Sequence, residues 1–370
     1  MTNQDNTPLR IVHATEAMGG GVQSAIAAYA RLLGDSQQFV LGRPRSQEAT
    51  YTLPEHAELR TFEGSLPAYL LWVRRMVIEI RPDVVHLHSS LAGLARTVLP
   101  RGTRIVYSPH CFAFERTDVS ALQRSAYRLA ERALAVRKQT FVAVSPHEAE
   151  LCLALAPRGR GRVEYVPNVA SEGSIREPFG NPAATAPAAD ANTGARAGTV
   201  VMTGRIGPQK LPRLYADAAE LSSSDAEFVW IGDGDTEDRA YLESRGVRVT
   251  GWLTPSDVVD TVSSAELYLH TGAWEAAPIS IVEAATAGTP VLTRSLPTLQ
   301  SLGYADAGID AASVAASVDR YFADEPFRAG VAAQTHAAIS RASVDDARES
   351  LLRAYGSPIS ATNERARAQR

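Results

Sequence analysis

Residues Trp274–Pro290 read WEAAPISIVEAATAGTP, and the rest of the chain is organised around them. Two carboxylates, Glu275 and Glu283, stand with seven residues between them. Pro278 lies between the two, an Ala-rich run follows, and Gly288, Thr289 and Pro290 end it. Proline suits the first position of a helix, where its missing N–H would have had no intrahelical partner. A helix starting at Pro278 leaves Glu275 on the preceding loop and puts Glu283 in the second turn. The N–H groups of Ile279 and Ser280 then sit at a helix N-terminus, a ready site for phosphate. One short element thus offers a carboxylate at each end and an anion site between them. That suits a sugar, a diphosphate and a ribose joined in a row.

The totals frame this reading. At 370 residues the chain exceeds one compact core and implies two domains. A hydrophobic fraction of 45% and a charged fraction of 21% are ordinary for a soluble globular protein. A net charge of -4 and a pI near 6.1 argue against a nucleic-acid partner. Cys111 and Cys152 are the two cysteines; they make no disulfide framework and no zinc cluster, which points to a reducing cytoplasm. The N-terminal MTNQDNTPLR has no hydrophobic signal core. No apolar run approaches the ~20 residues that span a bilayer, so any contact with the inner membrane face is expected to be peripheral.

Working outward, strand-like and helix-like segments alternate. LRIVHA (9–14) reads as a buried strand, followed by Met18, three glycines and the helical VQSAIAAYARLL. The pattern Gly19-x-Gly21-x-x-Ser24 lacks the third glycine of a dinucleotide site, and FVLG ends without an acidic residue for an adenine ribose. Helix 65–81, strand 82–90, helix LAGLARTVL, strand RIVYSPHCF and helix 120–138 follow. In FVAVSPHEAE, Ser145 with Glu148 three later reads as a capping box, with Pro146 at the first helical position. VEYVPNV closes this half. Alternating β and α segments imply a doubly wound parallel sheet with ligands at the strand C-termini.

Residues 171–198 are rich in Ala, Pro, Gly and Asn and read as a linker or insertion. A second alternating series starts at TVVMTG and runs through the opening element to PVLTR. The expected boundaries are therefore 1–170, the linker 171–198, a second domain over 199–340, a C-terminal helix over 341–358 that can cross back to the first domain, and a disordered tail over 359–370.

Taken together, GGGVQ, SPHCF, VSPHE, VPN, TGRIGPQK and the Glu275–Glu283 spacing resemble the retaining GT-B glycosyltransferases of family 4. The resemblance covers essentially the whole chain and implies an α/β GT-B fold: two Rossmann-like, doubly wound parallel-sheet domains facing across a cleft, the first on the acceptor side and the second binding a nucleotide sugar. By resemblance, Glu275 and His110 are the catalytic-site residues that contact the donor sugar, and Glu283 holds the nucleotide ribose, whose paired hydroxyls suit a carboxylate. Arg205 and Lys210 neutralise the leaving diphosphate together with the amides of Ile279 and Ser280. Gly20 and Gly21 let the N-terminal loop approach it. The implied donor is UDP- or GDP-linked, with no cofactor and no metal. The acceptor is a sugar, lipid-linked or other hydroxyl in polysaccharide, glycolipid or glycoside biosynthesis. A nucleotide-sugar epimerase of the same shape, or a non-catalytic nucleotide-sugar-binding subunit, are the alternatives. Three places depart from the family pattern: Ala276-Ala277-Pro278 replace a glycine-containing triplet, Cys111 stands where glycine is common, and Leu211-Pro212 follow Lys210.

Each assignment has a plainer counterpart. Both glutamates could be solvated helix-end carboxylates, and Arg205 and Lys210 surface charges. His86 and His88 alternate on one strand with metal-ligand spacing, but no third ligand is evident, so packing or cleft lining accounts for them. Asp233 and Asp235 read as a turn and helix start. Arg124, Arg128 and Arg132 recur four apart. With Arg74 and Arg75 they form either a solvated face or a contact with anionic lipid, although the sequence shows no clear apolar stripe beside them.

Overall fold

The computed structural model describes residues 8–44, 53–157, 161–170 and 198–356. The expected linker, apart from Gly198, and the expected tail lie outside the described residues. The chain divides into two compact units, Met1–Asn168 with Ser343–Arg370, and Val169–Ala342.

The first unit begins β1 (Arg10–Met18), α1 (Gly20–Leu32), β2 (Gln37–Pro44), β3 (Ala57–Thr61), α2 (Leu66–Ile80) and β4 (Val84–His88). It continues α3 (Ser90–Gly93), β5 (Ile105–Ser108), α4 (Ala121–Leu134), β6 (Gln139–Ala143), α5 (Pro146–Leu155) and β7 (Gly161–Tyr165). Its sheet is ordered β3-β2-β1-β4-β5-β6-β7, and every pairing is parallel. Parallel neighbours need crossovers, which the intervening helices supply. The central strands are covered on both faces, so β4 is buried at all five residues and reads as a continuous run rather than an alternation.

The second unit runs β8 (Thr199–Thr203), α6 (Pro212–Leu221), β9 (Glu227–Ile231), α7 (Thr236–Ser244), β10 (Arg248–Val249) and α8 (Pro255–Ser263). Then come β11 (Leu267–His270), α9 (Ile279–Thr286), β12 (Val291–Thr293), α10 (Pro297–Leu302), β13 (Ala305–Asp306), α11 (Ala311–Ala323) and α12 (Glu325–Ser340). Its parallel sheet is ordered β10-β9-β8-β11-β12-β13. Trp230, Tyr215 and Tyr268 are fully buried in its core, each large side chain contributing roughly 2 kcal/mol on removal from water. The last helix, α13 (Val344–Tyr355), belongs to the first unit. There Arg104 donates to the carbonyl of Tyr355 at 2.7 Å and Arg348 to that of Leu32 at 3.0 Å.

Strand order reverses between β1 and β4 in one sheet and between β8 and β11 in the other. Ligands of such sheets bind outside the strand C-termini at the reversal.

Several local expectations need correction. β1 extends to Met18 and passes straight into α1, so Gly20 and Gly21 form the first turn of a helix rather than a loop. The LAGLARTVL segment yields only four α-helical residues and then a 3₁₀ turn, Leu94–Thr97. Edge strand β13, of two residues, is too short to show a period. Pro278 is the residue before α9, not its first member. Ser145 caps α5, but Glu148 does not close the box: its carboxylate accepts from the amides of Val144 and Cys111 instead. Asp235 caps α7, and Asp233 pairs with Arg239 at 2.8 Å, which accounts for both acids structurally.

Candidate functional site

In the second unit the candidate residues gather where β8 and β11 end. Lys210 closes a 3₁₀ turn, Pro208–Lys210, a few residues beyond β8, and its Nζ lies 2.7 Å from Glu275 Oε1. The buried imidazole of His270, last residue of β11, faces the same oxygen through Nε2 at 3.1 Å. Gln209 reaches Glu275 Oε2 at a longer 3.4 Å and donates to the Trp274 carbonyl at 3.1 Å. Burial by itself would raise the Glu275 pKa, but the Lys210 ammonium and the His270 N–H hold it down at about 2. His270 is lowered by its own burial and by the Lys210 charge. The carboxylate packs against Gly272, where an added Cβ would come within 2.8 Å of Glu275 Oε1 and of His270 Nε2. Glycine is required there by close approach.

Further along, Ile279 and Ser280 open α9, so their amides have no intrahelical acceptor. Glu283, one turn on, lines a small concavity with Thr203, Val258, Val262 and Ser280. The Thr203 amide donates to the Tyr268 hydroxyl at 3.3 Å. Arg205 is exposed directly after β8.

In the first unit the candidates also occupy strand ends. Gly20 and Gly21 are exposed at the start of α1, and an added Cβ at Gly21 would meet open space. Packing therefore leaves that backbone accessible. His110 lies two residues beyond β5, with Nε2 at 3.0 Å from His88 Nδ1; burial lowers its pKa to about 4. The loop that carries it is tied to α5 by the Cys111 amide, which donates to Glu148 Oε1 at 2.8 Å. His13 of β1 completes a buried group with His86 and His88, their ligand-type atoms within 4.8 Å of one another. The partner that the His86/His88 reading lacked comes from the neighbouring strand, where His13 stands in register with His86.

Residues 9–169 match the family described as Glycosyl transferase 4-like domain, and 197–324 match Glycosyl transferases group 1. The chain belongs to the GT-B glycosyltransferases. Among curated relatives, an Escherichia coli UDP-Gal:alpha-D-GlcNAc-diphosphoundecaprenol alpha-1,3-galactosyltransferase is 24% identical over 255 residues, covering 61% of each chain. A Streptomyces fradiae 2-deoxystreptamine N-acetyl-D-glucosaminyltransferase is 29% identical over 232 residues, 57% of this chain and 54% of that one. The chain thus spans somewhat over half the length of these two relatives. Among solved structures, a sucrose-phosphate synthase from Thermosynechococcus elongatus superposes with a TM-score of 0.73 at 14% identity, covering 94% of this chain and 98% of that one. Anabaena HepE in complex with UDP and glucose gives 0.71 at 17%, covering 94% and 99%.

For a GT-B glycosyltransferase, the three departures now separate physically. Cys111 has φ 80° and Leu211 φ 49°, both in the left-handed region that favours glycine. Ala276 and Ala277 are not among the positive-φ residues, and both are buried; the loop after Glu275 therefore needs no glycine. His270 and Gln209 escaped the sequence reading. The signal for His270 was its place at the end of β11, four residues before Trp274; Gln209 had none beyond adjacency to Lys210.

Proposed function

We propose that this glycosyltransferase moves a sugar from a UDP-sugar to a hydroxyl acceptor with retention at the anomeric carbon. One observation carries the proposal: the Lys210–Glu275 pair, the open amides of α9 and Glu283 converge where β8 and β11 end. Departure of a nucleoside diphosphate builds negative charge on phosphate oxygens, which Lys210, Arg205 and the Ile279 and Ser280 amides stabilise. Glu283 accepts from both ribose hydroxyls. Glu275 Oε1 is engaged by Lys210 and His270, while Oε2, which Gln209 reaches at a longer distance, is the oxygen offered to a donor-sugar hydroxyl, with His110 as a second sugar contact. Gly20 and Gly21 admit backbone near the diphosphate. The acceptor oxygen bonds to the anomeric carbon on the face from which the diphosphate departs, and its proton passes to a phosphate oxygen. Names of the relatives support UDP as the carrier: UDP-Gal in the E. coli enzyme and UDP in the HepE complex.

The acceptor proposed is a lipid-linked sugar met at an anionic membrane surface. On α4, Leu122 is 80% exposed and Leu129 is 69% exposed, and with Ala126 and Ala133 they form the apolar stripe that the sequence did not reveal. It faces away from Glu131, which anchors the helix inward through Arg96 at 2.7 Å. Of the three arginines, Arg128 stacks on Phe114 and Arg124 donates to the Val119 carbonyl, while Arg132 is exposed beside the stripe. No described helix is long and apolar enough to cross a membrane.

Calorimetry with UDP tests the donor site. Glu283→Ala and Arg205→Ala should each weaken binding by about tenfold or more, the worth of a charge-assisted hydrogen bond. Wild-type affinity in both variants overturns the assignment.

A further inference from the structure

A row of buried histidines runs through the first unit to His110. His13, His86 and His88 have no exposed surface, and their rings lie on adjacent strands, β1 and β4, at the centre of a parallel sheet. Buried polar rings are costly unless every polar atom finds a partner, and all six ring nitrogens do. His86 Nδ1 lies 2.8 Å from the Tyr355 hydroxyl and Nε2 2.8 Å from Ser108 Oγ. His13 Nε2 meets Gln38 Oε1 at 3.0 Å and Nδ1 meets His88 Nε2 at 3.0 Å. His88 Nδ1 meets His110 Nε2 at 3.0 Å.

The chain from Gln38 has a direction. Gln38 Nε2 is surrounded by acceptors, the carbonyls of Ala30 at 2.9 Å and Leu33 at 3.1 Å and Ser36 Oγ at 3.0 Å. That end is therefore the amide nitrogen, and Oε1, facing His13, can only accept. His13 must then carry its proton on Nε2. A neutral imidazole has one N–H, so His13 Nδ1 accepts and His88 Nε2 donates. The same step repeats: His88 Nδ1 accepts and His110 Nε2 donates. Neutrality is consistent with burial, which lowers His13 to about 4 and His88 well below its ordinary value.

We propose that Gln38, His13 and His88 are positioning residues that lock His110 in its Nε2–H tautomer, so that His110 meets a bound sugar hydroxyl through the lone pair on Nδ1. The tautomer follows from the first unit alone; the sugar contact rests on the role of His110 proposed above. A metal bound between His13 and His88 would need lone pairs on both facing nitrogens, which the chain of donors forbids.

Ring-¹⁵N histidine labelling of the unliganded protein at neutral pH reads the tautomers directly. His13, His88 and His110 should all show a protonated Nε2 and an unprotonated Nδ1. Protonation of His110 at Nδ1, or a stoichiometric transition metal in the purified protein, overturns the proposal, and the wild-type spectrum decides this without any variant. Gln38→Met removes the terminal acceptor. It should convert the His110 signals to a tautomer mixture and lower kcat about three- to tenfold, the range of one hydrogen bond, with UDP affinity unchanged. A loss of thermal stability with unaltered His110 signals would mark Gln38 as merely structural and also overturn the proposal. If the tautomers are as stated but His110→Ala turns over normally, the sugar contact fails and the hydrogen-bond chain stands.

Discussion

Cys111 and Leu211 hold their backbones at φ 80° and 49°, where a Cβ crowds the following carbonyl at a cost of about 1–2 kcal/mol per residue. Replacing either by glycine relieves that strain and gives back part of it in unfolded-chain entropy. Each variant should therefore gain about 1 kcal/mol in urea unfolding, whereas Ala276→Gly should lose stability, since no positive φ rewards it. Glu275 supplies a second prediction. Its pKa is about 2 in the fold against an ordinary 4.5, so the unfolded chain takes up the proton first as pH falls. The stabilisation is complete above pH 4.5 and disappears as pH drops toward 2. Lys210→Met should flatten that acid limb in melting temperatures recorded between pH 5 and 3, because the ammonium that holds the carboxylate ionised is gone. At this scale the sequence was legible where a charge sits in a patterned stretch, as at Glu275 and Lys210. It was silent where a partner arrives from a neighbouring strand, as His13 does beside His86 and His88.

Helix α5 shows how an element carries information that its own residues do not contain. Ser145 caps it as its sequence suggests, but the Glu148 carboxylate turns outward to the amides of Cys111 and Val144 at 2.8 and 2.9 Å and so anchors the loop that bears His110. Burial, helped by the nearby Glu115 charge, raises Glu148 to about 7 against the pull of those two amides. Between about pH 4.5 and 7 the folded protein thus holds a proton that the unfolded chain has released, and stability falls as pH rises through that window. Urea unfolding at pH 5 and 7.5 should show this slope in the wild type and lose it in Glu148→Gln. Elements with strong patterning, such as the 15-residue α2 and the wholly buried β4, were readable from their residues. Two-residue β13 was not, because so few positions carry no period, and the helix read over LAGLARTVL shrank to the four residues of α3. The turn at Pro278 was misplaced by one residue, since proline is equally at home just before a helix and just within it.

At the scale of the whole chain, the apolar stripe of α4 bears on where the enzyme works. Leu122→Glu with Leu129→Glu should abolish sedimentation with vesicles containing anionic phospholipid while leaving UDP binding intact. Equal sedimentation of wild type and variant would remove the membrane reading and leave the donor site untouched. The two-sheet architecture was legible early because parallel sheets advertise themselves by strict alternation of strand and helix. The exposed stripe of α4 was hidden, because alanines and leucines spaced along a helix look the same whether they are buried in a core or left on the surface.

Helix α13 gives the molecule a temporal order. Tyr355 packs its ring against His86 and places its hydroxyl on that imidazole, so the first unit is finished by residues made after the whole of the second. On the ribosome, the contiguous span from Val169 to Ala342 emerges whole, while the earlier half waits with one buried histidine nitrogen unserved. A nascent chain stalled before Val344 should accordingly display a protease-resistant second unit beside a cleavable first one, the reverse of the N-to-C sequence in which domains usually mature.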